Sequence, residues 1–147
     1  MRSTNIGSVS ERTMRHEDLI PNFLWELEHQ KKIEPDHRAL IREIRASMEA
    51  NGYFDSEDAG YDLDALFDAL DRYSPPYFYF GANPGDGASY GWWLSEFFEE
   101  DFEGLRVSDL SEIPKGHTGE VLHINDHGNM SLYNVTRGRC RKVWGIV

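Results

Sequence analysis

Four residues toward the C-terminal end carry metal-ligand side chains: His117, His123, Asp126 and His127. His123 and His127 stand four apart, a spacing that would align two imidazoles on a helix, and zinc-type sites take imidazole nitrogen and carboxylate oxygen. The run Val-Leu-His-Ile-Asn is strand-like, however, and Asp-His-Gly reads as a turn, so the ligand spacing lacks a recognised geometry. No cofactor is expected. If a metal is held, His123, Asp126 and His127 are its ligands, with His117 supplied by the preceding loop, and the chain is then a small metal-dependent enzyme centred on that hairpin. Cys140 lies between Arg139 and Arg141, the charged surroundings a thiol nucleophile uses, but no base is placed beside it by sequence. Asp55-Ser56-Glu57-Asp58-Ala59-Gly60 starts like a calcium loop, yet Ala59 and Leu66 stand where oxygen ligands belong. Residues 81–91 are glycine-rich without Gly-Lys-Ser/Thr, and Asp86 would repel phosphate. Those glycines are read as turns.

Carboxylates dominate instead. Between Asp55 and Glu112 there are fifteen acidic side chains and two basic ones, Arg72 and Arg106, within a chain of 147 residues and formal net charge −11. Such a field repels nucleic acid and membrane headgroups and attracts basic protein surfaces. Glu96, Glu99, Glu100 and Glu103 fall at i, i+3, i+4 and i+7, the spacing of one helical face, with Leu94, Phe97, Phe98 and Phe102 turned inward. Asp64, Asp68 and Asp71 repeat the pattern upstream. Like charges at this spacing cost a helix about 0.2–0.5 kcal/mol per pair. Rows that oppose local folding point to a use in binding, including mimicry of the regular charge of duplex DNA; solubility is the plainer explanation. Adjacent Trp92 and Trp93 would face opposite sides of a strand, so that either both faces are buried or one tryptophan is left as an exposed anchor for a protein partner.

The elements that position these groups follow from periodicity. Residues 1–15 lack an apolar pattern and are expected to form a disordered arm, followed by one α+β domain over residues 16–147. Helices are expected at about 19–30, 36–51 and 62–73. Ile20, Phe23, Leu24 and Leu27 share the first inward face, Leu40, Ile41, Ile44 and Met48 the second, and Leu63, Leu66, Phe67 and Leu70 the third. Asp36 is the expected N-cap of the second helix, and Asn51-Gly52 its stop. The helices are expected to pack on an antiparallel sheet from about 76–94 and 120–147. A short amphipathic helix at about 95–103, capped by Ser95 and ended by Gly104, interrupts that sheet. Turns at residues 126–129 and at Arg137-Gly138 make the last strands a three-stranded meander. A single cysteine excludes an internal disulfide and fits a reducing compartment, and no stretch approaches the roughly 18 apolar residues of a membrane span.

Residues 79–93, Tyr-Phe-Gly-Ala-Asn-Pro-Gly-Asp-Gly-Ala-Ser-Tyr-Gly-Trp-Trp, and residues 121–129, Val-Leu-His-Ile-Asn-Asp-His-Gly-Asn, resemble segments of short uncharacterised acidic proteins of bacteriophages, prophages and plasmids. The resemblance covers the C-terminal half. It implies a bacterial cytoplasm and a mobile-element setting; small acidic proteins of such elements are often inhibitors of restriction, CRISPR or toxin nucleases.

The sequence thus leads to a non-enzymatic, cytoplasmic interaction protein that blocks a basic nucleic-acid-binding surface on a partner, without binding nucleic acid or membrane itself. Its expected contacts are Asp64, Asp68, Asp71, Trp92, Trp93, Glu96, Glu99, Glu100 and Glu103. A self-assembling accessory protein is the further alternative to the metal enzyme.

Overall fold

A computed structural model describes residues 5–146 and shows the expected α+β architecture. The chain divides into two compact units, Asn5–Ser95 and the residues from Glu96 onward.

The first unit contains β1 (Gly7–Ser10), α1 (His16–Glu28), α2 (Pro35–Ser47), α3 (Glu57–Asp71), β2 (Phe78–Asn83) and β3 (Asp86–Leu94). Apolar periodicity places the inward faces as expected: Ile20, Phe23, Leu24 and Leu27 of α1 and Leu63, Leu66 and Leu70 of α3 are all buried. Phe23 meets Phe67, Phe80 and Tyr90 edge-on at ring separations of 5.1, 5.2 and 6.1 Å. Each fully buried side chain of this size contributes about 1.5–3 kcal/mol. The sheet order is β1-β3-β2, both pairings antiparallel.

Helix α2 ends at Ser47, four residues before the expected stop at Asn51-Gly52, and three further boundaries differ from expectation for identifiable reasons. Gly7–Ser10 is a strand on β3, whereas the disordered arm was expected to run through residue 15; a four-residue strand shows no periodicity, and only its partner defines it. The part of that arm at residues 1–4 lies outside the described residues. Helix α2 is preceded by Glu34, with Pro35 in its first turn, so Asp36 lies inside the helix instead of capping it. Helix α3 begins five residues earlier than expected because Ser56 caps it, its hydroxyl accepting the Ala59 N–H at 3.3 Å. The calcium-like run from Asp55 is this cap and first turn.

The second unit holds α4 (Phe98–Asp101), β4 (Leu105–Val107), β5 (Gly119–Ile124), β6 (Met130–Thr136) and β7 (Arg139–Ile146). The expected meander is present as β5-β6-β7, and β4 adds a parallel edge to β5. The strands of residues 78–94 belong to the other sheet, so the expected sheet regions at about 76–94 and 120–147 form two separate sheets. Val107, Val121 and Val135 form a small core with Leu105, Ile113 and Tyr133. The Leu122, Leu132 and Trp144 row is buried by register on the opposite face. Asn125 shapes the first hairpin turn: its Oδ1 accepts the backbone N–H of His127 at 2.9 Å and of Asn129 at 3.0 Å. No helix among the described residues is long and apolar enough to cross a membrane.

Candidate interaction surfaces

Helix α3 buries Leu63, Leu66 and Leu70, so 3.6-residue periodicity turns Glu57, Tyr61, Asp64, Asp68 and Asp71 outward in one row with steps of four, three, four and three residues. All five are exposed. Tyr61 is 69% exposed in the middle of the carboxylates. Among the described residues neither Asp64 nor Asp68 forms an ion pair; the cation near this helix, Arg72, goes to Glu34 at 3.4 Å. Asp71 differs, because its Oδ1 is occupied by the Phe80 backbone N–H and the Ser74 hydroxyl. Along the axis the row of four carboxylates spans about 21 Å, roughly one charge per 5 Å. Duplex DNA carries about one per 1.7 Å.

The second expected row is not helical. Helix α4 is a single turn, preceded by Phe97 with no side-chain cap. Ser95, the expected cap, instead gives its backbone N–H to the Tyr77 carbonyl at 2.8 Å. Glu96, Glu99, Glu100 and Glu103 are exposed, but only Glu99 and Glu100 lie in helix, so the i to i+7 alignment is lost. Arg106 approaches the Glu99 carboxylate at 3.4 Å and donates to its backbone carbonyl at 2.6 Å. Phe98 and Phe102 point inward as expected, while Phe97 is 61% exposed. Like-charge crowding in a four-residue turn leaves too little helix to bury three phenylalanines.

Of the two tryptophans expected as anchors, Trp92 lies in the core and Trp93 only partly so. Trp92 is 2% exposed, and its indole N–H donates to the Leu70 carbonyl at 3.2 Å. Trp93 is half-buried and donates to the Gly81 carbonyl at 2.9 Å. The exposed tryptophan is Trp25 of α1, stacked on His29 at 3.9 Å. Trp25 and Tyr61, exposed along with Phe97, are legible in the sequence as residues off the apolar stripe of their helix.

Among the described residues no three His, Cys, Asp or Glu side chains are grouped so as to hold a metal. Within the hairpin set, His123 Nε2 is bonded to the Ser108 carbonyl at 3.1 Å, and Asp126 and His127 stand exposed in the turn. His117 Nε2 is buried with no hydrogen-bond partner among the described residues. Cys140 is exposed on β7, across from Val135. Near His123, Asp109 and Glu112 are held below the usual carboxylate range because each accepts hydrogen bonds, from Ser111 and Ser108 respectively. These bonds cap a single 3₁₀ turn.

Comparison with family models, with curated proteins and with solved structures gives no match for this chain.

Proposed function

We propose that the protein is a non-enzymatic interaction protein that docks the outward face of α3 on a basic protein surface. The observation that carries this reading is the α3 row itself: Glu57, Asp64 and Asp68 flank an exposed Tyr61 on one helical face. Unpaired carboxylates supply steering and selectivity for a cationic partner, and a tyrosine supplies contact area with little entropy to lose. The charge density along the row is about a third of that along duplex DNA, which favours a protein-type contact over imitation of the double helix. A basic groove on a nucleic-acid-handling protein of a bacterial host, such as a restriction, CRISPR or toxin nuclease, has the complementary chemistry. The glutamates at residues 96–103 make no ordered row of their own.

The test compares capture from bacterial lysate by the native protein and by Asp64→Asn/Asp68→Asn. A specific partner should be retained by the native bait, released as salt rises from about 0.05 to 0.5 M, and lost from the variant. A partner held equally by both baits at both salt concentrations would falsify the reading.

A further inference from the structure

The last acidic residue of the chain is Asp126; residues 127–147 contain Arg137, Arg139, Arg141 and Lys142 and no carboxylate side chain. This segment builds the β6–β7 hairpin. Arg15, Arg45, Arg72 and Arg106 each sit beside a glutamate. Among the described residues Arg137, Arg139 and Arg141 have no such partner, as is also true of Arg12, Arg38 and Arg42.

Their placement is set by register. Arg141 is opposite Asn134 and Arg139 is opposite Thr136, and directly paired residues project from the same face of a sheet. With Arg137 at the turn, these five exposed side chains line an open surface concavity of about 530 Å³. On β5, Glu120 extends the same row beyond Asn134; it is half-buried and has an interaction of its own. Arg139 and Arg141 stand two strand residues apart, roughly 6.6 Å. Guanidinium groups bind oxyanions through a planar two-point fork, and the Asn amide and Thr hydroxyl add neutral donors.

Edge protection explains part of this charge, since β7 is a sheet edge and edge strands are commonly blunted by basic residues. It does not require three guanidinium groups around one hollow. Nor does it require arginine at position 137, where φ is +53° and the following Gly138 has φ +77°. A two-residue turn with both φ positive favours Asn-Gly, so arginine is held there against local preference.

We propose that this hollow binds a compact polyphosphate group, the di- or triphosphate of a nucleotide or its inorganic equivalent. Among the described residues no aromatic ring lines it, so they offer none of the base-stacking that holds single-stranded nucleic acid. The chain's net charge of −11 also opposes a long polyanion more than a small one.

Calorimetric titration of the intact protein at low salt tests this, with inorganic triphosphate, a nucleoside triphosphate and a single-stranded oligonucleotide as separate probes. Triphosphate should bind, and Arg139→Gln/Arg141→Gln should weaken it about tenfold or more, as expected for loss of charge-assisted bonds. Equal affinity for the two triphosphates identifies the phosphate chain as the whole ligand, and tighter nucleotide binding adds the nucleoside; both sustain the proposal. Amide shifts on the native protein provide a readout independent of any variant's folding, and should move at Asn134, Thr136, Arg137, Arg139 and Arg141. Absence of triphosphate binding, shifts confined elsewhere, undiminished affinity in a folded variant, or binding of the oligonucleotide alone would each overturn it.

Discussion

The carboxylate of Asp71 accepts the backbone N–H of Phe80 at 2.9 Å, fastening the end of α3 to β2. Strand β2 is an edge of its sheet, so this N–H has no strand to bond, and the aspartate takes the place of one. Asp71→Ala should therefore destabilise the protein by about 1–3 kcal/mol, the cost of an unsatisfied partner of a charged group. Asp64→Asn and Asp68→Asn should stay within about 0.5 kcal/mol of the native protein. Urea denaturation of the three variants separates the structural aspartate from the two available for binding.

Tyr61 should matter to association and little to folding. Tyr61→Ala is expected to weaken a captured partner about tenfold or more while leaving the melting transition nearly unchanged, as for an interface anchor. Surface plasmon resonance on the identified complex, with thermal melts of the free protein, checks both parts.

The two kinds of tryptophan should respond oppositely to truncation. Trp92→Ala removes a ring packed 4.9 Å from Phe80 and should cost about 3–5 kcal/mol. Trp25→Ala removes a ring that is 57% exposed and should cost at most about 0.5 kcal/mol. Denaturation midpoints of the pair give the comparison.

Gly91 is fixed by the approach of β1, because a Cβ there would lie 2.1 Å from the Gly7 carbonyl oxygen. Gly91→Ala should force β1 off β3, with a loss of about 1–3 kcal/mol typical of overpacking. Hydrogen exchange should show lost amide protection at residues 7–10 while the β2–β3 hairpin keeps its own.

Tyr53 donates its hydroxyl hydrogen to Asp62 at 2.7 Å, and burial followed by that bond raises its pKa above the ordinary tyrosine value. A folded-state pKa above the unfolded one means that the contribution is complete below about pH 10, the unfolded value. It is lost as pH rises through the folded value, since the unfolded chain then releases a proton that the native state retains. Tyr53→Phe should flatten the alkaline fall in stability, measured by denaturation at successive pH values.

Elements whose information is local were legible from sequence. The faces of α1 and α3 follow from spacing alone, and the turns after Ile124 and Thr136 from Asn, Gly and their neighbours. The elements that are not legible depend on a distant partner. β1 is strand only because Gly91 lets it approach, β4 because β5 lies alongside, and the start of α3 turned on one serine. The acidic rows show the same limit: charge spacing identified both, but only α3 has enough buried leucine to sustain a helix beneath it. Which of Trp92 and Trp93 turns inward depends on what covers the sheet, and the Leu70 carbonyl that receives the Trp92 N–H lies 22 positions away. The hairpin arginines were visible as residues; their convergence required the β6–β7 register.

The order β1-β3-β2 places the earliest strand against a partner synthesised roughly 85 residues later, as the pairing of Gly7 with Trp92 records. At about 5–20 residues per second, a nascent chain waits about 4–17 s before that partner exists. During this interval the helices can form, but the three-stranded sheet cannot close. Maturation of the first unit is therefore timed by the synthesis of its final hairpin, and a ribosome halted within α3 would display a segment still lacking the surface on which it settles.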